Sequence, residues 1–403
     1  MQGTPNTGAD IVTFGCRLNT FESEIIRAHT RALPGTVVIH TCAVTAEAER
    51  TARAAIRRVV RERPGAAIVV TGCAATLDPR RWAALPGVTR VLDNTDKLRA
   101  ENWGAAPVPQ PMHGIEGRAR AYVQIQQGCD HRCTFCIIPF ARGPSRSMPL
   151  GDLAAQLRAL TEAGVQEVVL TGVDIASYGP DLPGAPSLGE TLRRLLALVP
   201  GLPRLRLSSL DPAAIDPARD PALWRLLADE PRLMPHWHLS LQAGSDLILK
   251  RMKRRHGRAE ALALIARARA LRPGIGIGAD LIAGFPTETE ALFQETLDFV
   301  HEAALPYVHC FPYSERPGTP AARMPAVPKP ERRARAARLR EAAAQHAAAF
   351  HRQQVGTDVR IVVERGGVGH TEAFSPVRLG HALPVGALAT VRVLSATAEG
   401  LVA

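Results

Sequence analysis

Three cysteines that lie close together in the chain are the residues best suited to hold a metal centre. Cys129, Cys133 and Cys136 form a C-x3-C-x2-C arrangement, and one short loop could fold all three sulfurs inward. A structural zinc site and an ordinary ferredoxin-type cluster each take four protein ligands, so three thiolates would leave one iron of a four-iron cluster open. That iron could bind a small molecule with an amine and a carboxylate, such as the methionine end of S-adenosylmethionine. The alternatives are a zinc site completed by His131 or by a distant residue, or three unrelated buried cysteines.

Three further cysteines each end a predicted strand in the first third of the chain: Cys16, Cys42 and Cys73. The predicted strands cover residues 10–16, 36–42 and 66–73, with helices over 19–31 and 46–63 between them. Alternating strands and helices indicate a parallel α/β sheet, and ligands bind at the carboxyl ends of such strands. The three cysteines could therefore hold a second iron–sulfur cluster with one open iron. Taken singly, each could also be a small buried hydrophobe.

The middle of the chain contains a longer series of strand and helix units. Strands are predicted over residues 120–126, 168–174, 205–209, 236–242, 276–282 and 306–311. Helices are predicted over 152–163, 187–198, 221–229, 245–252, 258–271 and 289–303. Six such units indicate a partial (β/α)6, TIM-like barrel with its chemistry at the carboxyl ends of the strands. The first strand runs straight into the three-cysteine loop.

The last fifty residues have short strands and glycine- and proline-rich turns, which predict a small antiparallel β-barrel. Strands are expected over residues 359–364 and 387–394. This segment resembles the TRAM domain, an RNA-binding barrel, through Gly369–Glu372, Phe374 and Arg378. The resemblance implies that His370, Phe374 and Arg378 contact RNA through phosphates and a stacked ring.

The chain carries a net charge of +11, which favours a polyanionic partner such as nucleic acid. Arg254 and Arg255 lie in a basic stretch that could follow RNA phosphates, or could be a solvated helix end. Arg316, in a predicted loop, could face the cluster cavity or the substrate backbone. The N-terminus has no secretory signal and the sequence has no long apolar run, so a cytoplasmic location without a membrane span is expected.

The cysteine loop, with Phe135 before its last cysteine, resembles that of the radical S-adenosylmethionine superfamily. Together with the segments Phe14–Asn19, Thr41–Thr45 and Thr71–Cys73, it makes nearly the whole chain resemble the radical-S-adenosylmethionine methylthiotransferases. The resemblance implies two 4Fe-4S clusters. One S-adenosylmethionine would methylate sulfur at the N-terminal cluster. A second, cleaved after one-electron reduction at the barrel cluster, would give a 5′-deoxyadenosyl radical that removes hydrogen from the substrate carbon.

Polar and glycine positions at the predicted carboxyl ends are the candidates for S-adenosylmethionine contacts. They are Thr171, Gly172, Asp174, Arg206, Ser208, Ser240, Gln242 and Ile282. The family's equivalent of Asp174 lies against the methionine amino group, although an aspartate there could equally be a helix N-cap. Beyond the six cluster cysteines, the sequence names no catalytic residue.

Within the family, Cys133–Gly143, Arg146 and the tail around His370 look most like the branch that acts on N6-threonylcarbamoyladenosine beside the tRNA anticodon. Sister branches act on isopentenyladenosine in tRNA or on an aspartate of a small-subunit ribosomal protein. A radical enzyme that inserts no sulfur and a non-catalytic, zinc-containing RNA-binding protein are further alternatives. The resemblance also implies a monomer and an electron donor such as flavodoxin or ferredoxin. The expected domains are 1–105, a linker over 106–118, 119–350 and 351–403.

Overall fold

The computed structural model describes residues 8–106 and 119–403. Within these residues the chain forms two compact units. The first unit consists of residues 8–106, 127–145 and 314–319, and the second consists of 119–126, 146–313 and 320–403. The predicted linker lies outside the described residues except for residue 106. Among the helices described, none has both the length and the apolar character needed to cross a membrane.

The first unit is built on a four-stranded parallel sheet in the order β1-β2-β3-β4. Its strands are β1 (Asp10–Thr13), β2 (Thr36–Thr41), β3 (Ala67–Gly72) and β4 (Val88–Val91). Its helices are α1 (Arg17–His29), α2 (Ala46–Glu62), α3 (Cys73–Leu77), α4 (Pro79–Ala83) and α5 (Ile138–Arg142), with 3-10 turns at Asp96–Leu98 and Ala100–Trp103. The predicted parallel α/β sheet is confirmed. Sequence analysis missed β4, a short edge strand with two exposed positions.

Local sequence explains how α2 begins and what it covers. The Thr45 side chain accepts a hydrogen bond from the Ala48 backbone N–H at 3.2 Å, which caps the first turn. Glu47 and Glu49 lie in that turn, where negative charge is favourable. One face of the helix is apolar and buried in the core of the first unit, and it consists of Ala52, Ala55, Ile56 and Val59.

The second unit contains six parallel positions of a partial barrel, as predicted. Strands pair in the orders β5-β8-β9 and β10-β11-β12-β13, and Ser208 alone separates β9 from β10. The strands are β5 (Ala121–Gln124), β6 (Gln126–Gln127), β7 (Arg146–Ser147), β8 (Val168–Thr171), β9 (Leu205–Leu207), β10 (Ser209–Leu210), β11 (His236–Gln242), β12 (Gly276–Ala283) and β13 (Tyr307–Pro312). The helices are α6 (Leu150–Glu162), α7 (Leu188–Leu198), α8 (Pro221–Asp229), α9 (Asp246–Met252), α10 (Arg258–Leu271), α11 (Glu290–Glu302) and α12 (Lys329–Arg352), with 3-10 turns at Ile175–Ser177 and Pro320–Arg323.

The C-terminal part of the second unit is a curled six-stranded sheet in the order β17-β14-β15-β16-β19-β18. Its strands are β14 (Asp358–Glu364), β15 (Val368–Thr371), β16 (Pro376–Arg378), β17 (Leu388–Arg392), β18 (Ser395–Ala396) and β19 (Leu401–Val402). Four of its five strand pairings are antiparallel, as predicted, and the sheet is mixed because β16 and β19 pair in parallel. After β16 the chain crosses to the far edge to form β17, and its return brings β19 beside β16 in the same direction.

A turn of the C-terminal sheet, residues 371–375, packs on the amino-terminal ends of the barrel strands. Tyr307, which begins β13, shares a hydrogen bond of 2.9 Å with Ser375. The Phe374 ring lies 4.8 Å from the ring of His236, which begins β11. A Cβ added at Gly276, which begins β12, would lie 2.2 Å from the Ala373 carbonyl oxygen. The turn therefore covers the end of the barrel opposite to the carboxyl ends.

Candidate metal centre

All six cysteines of the two predicted clusters lie in the first unit. Cys16 precedes α1, Cys42 follows β2, and Cys73 begins α3 directly after β3. The three therefore stand at the carboxyl ends of neighbouring parallel strands. Cys42 and Cys73 are buried and Cys16 is exposed.

Two glycines allow the strand ends that carry these cysteines to approach one another. Gly15 has φ +98°, and a Cβ added there would lie 2.7 Å from the Cys42 sulfur. Gly72 has φ +100°, and its added Cβ would lie 2.3 Å from the Thr41 carbonyl oxygen. Each glycine directly precedes a cysteine, and its left-handed conformation is one that other residues adopt only with strain. The backbone is therefore shaped to bring the three sulfurs together.

The pKa of the Cys42 thiol is affected by Cys16 and Cys73. Burial raises the pKa of the Cys42 thiol to about 12, and the neighbouring Cys16 and Cys73 act to raise it, whereas the Val44 backbone N–H acts to lower it. A metal centre binds thiolates, so loading this site releases protons. A donor set of three grouped sulfurs fits an iron–sulfur cluster with one iron open.

A buried polar network lies beside Cys73. The Arg142 Nε donates a hydrogen bond to the Cys73 sulfur at 3.2 Å, and its two terminal nitrogens donate to Glu22 at 2.8 and 2.9 Å. The Lys97 ammonium donates to Glu22 and to Asn94, both at 2.7 Å. Burial acts to raise the pKa of the Glu22 carboxyl, but Arg142 and Lys97 outweigh it and hold the pKa well below its ordinary value.

The loop with the second set of cysteines closes on itself through its backbone. The Cys129 N–H donates to the Gly143 carbonyl oxygen at 3.1 Å, and the Cys136 N–H donates to that of Cys133 at 3.1 Å. Gly128 has φ +74°, and a Cβ there would lie 1.9 Å from the Pro144 carbonyl oxygen. The three cysteines of this loop are half-buried. This donor set also fits a cluster with three protein ligands.

The remaining cysteine, Cys310, packs in the apolar core of the second unit. Burial raises the pKa of its thiol to about 12. It is therefore a structural residue, in agreement with its position within β13.

Most of the residues predicted to contact S-adenosylmethionine lie at the carboxyl ends of the barrel strands. Thr171 ends β8, Gln242 ends β11 with φ +73°, and the set also includes Gly172, Asp174, Ser208, Ser240 and Ile282. The Gln126 side chain accepts hydrogen bonds from the Val173 and Asp174 backbone N–H groups at 3.1 and 2.8 Å. The Asp174 carboxylate accepts from the Ser177 hydroxyl at 2.7 Å.

Arg206 lies elsewhere, at the amino-terminal end of the barrel. It binds the buried carboxylate of Glu167 at 2.7 and 3.1 Å, and its guanidinium lies 4.8 Å from the centre of the Phe374 ring. Burial acts to raise the pKa of Glu167, but Arg206, Arg120 and Arg204 outweigh it and lower the pKa. The sequence prediction placed Arg206 near the cofactor because it precedes Ser208; the structure shows its side chain inside this ionic cluster instead.

The residues predicted to contact RNA have different surroundings. Phe374 is stacked against His236 and His370, with ring centres 4.8 and 4.7 Å away, and His370 is hydrogen-bonded to Glu364 at 2.7 Å. The Phe374 ring is thus engaged within the second unit rather than presented as an exposed stacking platform. Arg378 is exposed on β16.

The other predicted basic residues are paired with acids. Arg254 and Arg255 both approach the Asp211 carboxylate, at 3.0 and 3.2 Å, and Arg254 is largely buried. Arg316 is buried in the first unit and forms an ion pair with Glu49. Arg255 keeps a partly exposed side chain, so it is the most accessible of the three.

A polar cluster on three barrel strands was not predicted from the sequence. His238, Asp280 and His309 lie on the same face of β11, β12 and β13. The Asp280 carboxylate lies 3.0 Å from His238 Nε2 and 3.3 Å from His309 Nδ1. The signal was present in the period-two alternation, which turns His236, His238 and Ser240 to the face opposite the core residues of β11. The missed network around Arg142 had no comparable signal, because its members are far apart in sequence.

Comparisons with known proteins agree with this architecture. Residues 123–300 match the Radical SAM superfamily, and residues 9–92 match the Uncharacterized protein family UPF0004. A solved structure of the radical S-adenosylmethionine methyltransferase TsrM from Kitasatospora setae, with cobalamin and a [4Fe-4S] cluster bound, superposes with a TM-score of 0.53. It covers 76% of this chain and 69% of its own, at 15% identity, so it supports the fold alone.

Curated relatives cover nearly the whole chain. The threonylcarbamoyladenosine tRNA methylthiotransferase MtaB of Rickettsia prowazekii is 45% identical over 94% of this chain and 93% of its own length. The protein of the same name from Thermotoga maritima is 33% identical over 97% of this chain and 95% of its own. The tRNA-2-methylthio-N(6)-dimethylallyladenosine synthase of Maricaulis maris is 32% identical over 89% and 86%. The chain therefore belongs to the radical S-adenosylmethionine methylthiotransferase family of transferases.

Proposed function

We propose that this chain inserts a methylthio group at C2 of N6-threonylcarbamoyladenosine next to the anticodon of tRNA. The observation that carries the proposal is the pair of three-cysteine sets in one compact unit, each without a fourth cysteine in its group. Support for the substrate comes from the relative from Rickettsia prowazekii, whose name specifies threonylcarbamoyladenosine tRNA. The net charge of +11 suits a tRNA partner.

We assign one 4Fe-4S cluster to Cys16, Cys42 and Cys73, and a second to Cys129, Cys133 and Cys136. When bound, these clusters and two molecules of S-adenosylmethionine supply a methylated sulfur and a carbon-centred radical. The residues of the chain contribute thiolate ligands and leave one position of each cluster open. Arg142 and the glycines before Cys16 and Cys73 hold the first set of ligands in place.

The remaining assignments belong to the same proposal. Thr171, Gly172, Asp174, Ser208, Ser240, Gln242 and Ile282 would contact S-adenosylmethionine. Arg378 and Arg255 would contact tRNA phosphates, since their side chains reach solvent. We further propose a monomeric, cytoplasmic enzyme with a flavodoxin or ferredoxin as its electron donor. The proposed domains cover 1–105, 119–350 and 351–403.

The test is mass spectrometry of nucleosides from bulk tRNA of cells with and without the gene, rescued by wild-type or variant chains. We expect 2-methylthio-N6-threonylcarbamoyladenosine to disappear without the gene, its precursor to accumulate, and the wild type to restore it. Substituting Ala for any of the six cluster cysteines should abolish rescue and remove about half of the iron and acid-labile sulfide. Cys310→Ala is the matched control, because it removes a cysteine from an apolar core, and it should retain both clusters.

The alternatives predict different results. A colourless protein that holds zinc without sulfide would be a non-catalytic RNA-binding protein. An unchanged tRNA profile would favour either the ribosomal-protein substrate or a radical enzyme that inserts no sulfur. The second of these would be indicated if cleavage of S-adenosylmethionine by the purified chain survives replacement of Cys16, Cys42 and Cys73 by Ala.

Isopentenyladenosine in tRNA is the second candidate substrate. It is favoured by relatives from Sorangium cellulosum and Anaeromyxobacter dehalogenans, named tRNA-2-methylthio-N(6)-dimethylallyladenosine synthase, at 35% and 36% identity. These identities are close to the 33% and 34% of the relatives from Thermotoga maritima and Bacillus subtilis, which are named for threonylcarbamoyladenosine. Loss of the 2-methylthio isopentenyl nucleoside in the same experiment would assign this substrate instead.

A further inference from the structure

Arg142 stands out among the buried cations of the first unit because it touches a predicted cluster ligand. It is 4% exposed, and its guanidinium donates to the Cys73 sulfur at 3.2 Å, to Glu22 at 2.8 and 2.9 Å and to Asn19 at 2.7 Å. Four hydrogen bonds to defined acceptors thus fix the orientation of the guanidinium. A side chain held by four such bonds has little freedom to move.

The backbone of Arg142 belongs to the segment that carries the other set of cysteines. It ends α5, which follows Cys136 closely in sequence. The Asn94 side chain donates to the carbonyl oxygen of Ala141 at 2.7 Å and approaches the Cys73 sulfur at 3.7 Å. Ile137 and Ala141 share an apolar core with Cys73. These contacts hold the segment that follows Cys136 against Cys73.

The charges of this network are unbalanced without a bound anion. Of the charged side chains described here, Arg142 and Lys97 are cations and Glu22 is the anion between them. All three are almost fully buried. His40 lies 3.0 Å from the Lys97 ammonium, and burial and the Lys97 charge hold the pKa of its imidazole well below the ordinary value, so it adds no charge. A cluster bound by three thiolates carries one net negative charge, and one-electron reduction adds a second. The unpaired positive charge of the network therefore matches the charge of the loaded site.

We propose that Arg142 is a positioning residue that orients Cys73 and raises the reduction potential of the cluster bound by Cys16, Cys42 and Cys73. The inference rests on the proposed function, because it requires a cluster at this site. A hydrogen bond to a ligand sulfur and a nearby positive charge both favour the more negative, reduced cluster. Arg142 ends α5, which directly follows the loop with Cys129, Cys133 and Cys136. A displacement of that loop would therefore move the donor of the hydrogen bond to Cys73 and change the reduction potential.

The experiment is a redox titration followed by electron paramagnetic resonance. The parent is the full chain with Cys129, Cys133 and Cys136 all replaced by Ala, so that a single cluster remains. Into it we introduce Arg142→Gln, Arg142→Lys and Glu22→Gln separately. Arg53→Gln is the matched control, because it also breaks a largely buried arginine–glutamate pair of the first unit, and Arg53 donates to Glu49 rather than to a cysteine.

Arg142→Gln is expected to lower the equilibrium constant for reduction about tenfold, which lowers the reduction potential by about 59 mV for one electron. Arg142→Lys keeps the charge and should recover part of the shift. Glu22→Gln removes a negative charge and should shift the potential upward. The control should leave the potential and the spectrum unchanged. Iron and sulfide content is measured for every variant.

Each outcome decides the inference. Unchanged potentials in Arg142→Gln and Glu22→Gln, with iron retained, would overturn it while leaving the proposed function intact. If Arg142→Gln loses its iron, its reduction potential cannot be compared with that of the parent. The inference then depends on Glu22→Gln: an upward shift of its reduction potential supports the inference, and an unchanged potential overturns it. A parent chain that binds no cluster would overturn both the inference and the proposed function.

Discussion

His256 lies just after α9 and is 6% exposed. Burial lowers the pKa of its imidazole to about 4, and the neighbouring Arg254 lowers it, while Asp211 acts in the opposite direction. The folded chain therefore keeps His256 neutral at a pH where the unfolded chain protonates it. Its contribution to stability is present above the ordinary pKa of 6.5 and is lost as the pH falls toward 4.

From these values we expect His256 to reduce the free energy of unfolding by about 2 kcal/mol between pH 7 and pH 5. His256→Leu cannot bind the proton, so that part of the pH dependence should vanish. Urea denaturation at the two pH values, followed by circular dichroism under anaerobic conditions, measures the difference. His381→Leu is the control, because His381 is exposed. Equal pH slopes for the wild type and His256→Leu would contradict this account.

The turn at residues 371–375 is the element that joins the C-terminal sheet to the barrel. Phe374 adopts φ +71° and packs between His236 and His370. The guanidinium groups of Arg206 and Arg120 lie 4.8 and 5.0 Å from its ring centre. A positive φ is unfavourable for phenylalanine, so these contacts must compensate the backbone strain.

Phe374→Ala should therefore lower the free energy of unfolding of the second unit by about 3 kcal/mol or more. The loss should appear as a lower thermal midpoint and as faster proteolytic release of the C-terminal sheet. Leu394→Ala is the matched control in the same sheet, because Leu394 is 68% exposed, and it should change little. Similar proteolysis of both variants would show that the ring does not anchor the sheet.

The regular elements of this chain were predictable because their patterns are local. Buried runs such as Thr36–Thr41 and the alternation along β11 indicate strands without reference to distant residues. The parallel pairing of β16 with β19 was not predictable, because it depends on where the chain returns after β17. The packing of Phe374 was missed for the same reason: its partners lie on β9 and β11, more than a hundred positions earlier.

In the candidate site, too, the features with a local sequence pattern were predictable and those made by distant residues were not. Cysteine spacing and strand ends indicate the two sets of proposed ligands, since grouped thiols commonly bind metals. The buried network of Glu22, Lys97 and Arg142 is assembled from three segments that are far apart in sequence. Charged residues are normally expected at the surface, so no local sequence pattern predicts a buried network of this kind.

At the scale of the molecule, part of the positive charge of the described residues is committed to internal contacts. Arg142, Arg204, Arg206, Arg332 and Arg335 are all buried. The net charge of +11 therefore overstates the number of arginines that can reach phosphates directly. Exposed positions such as Arg378 are the better candidates for a tRNA-binding surface.

Binding of tRNA should weaken as salt increases, because released counterions drive the association. Arg378→Ala should weaken binding and reduce the slope of log K against log salt by about one. Arg194→Ala is the control: it removes an exposed arginine of α7 that is paired with Glu190. Filter binding over a range of salt concentrations measures both slopes. An unchanged slope for Arg378→Ala would remove this residue from the binding surface.

The first unit is discontinuous in sequence, and this has a consequence for biosynthesis. Its last segment, residues 314–319, includes Arg316, whose ion pair with Glu49 reaches back to α2. A ribosome working at about 5 to 20 residues per second needs roughly 15 to 60 s to travel from Cys16 to that segment. The nascent chain thus exposes Cys16, Cys42 and Cys73, the ligands proposed for one cluster, long before their surroundings are complete. We expect cluster insertion to follow synthesis of the barrel, so a chain truncated before residue 314 should mature poorly even though it contains all six ligands.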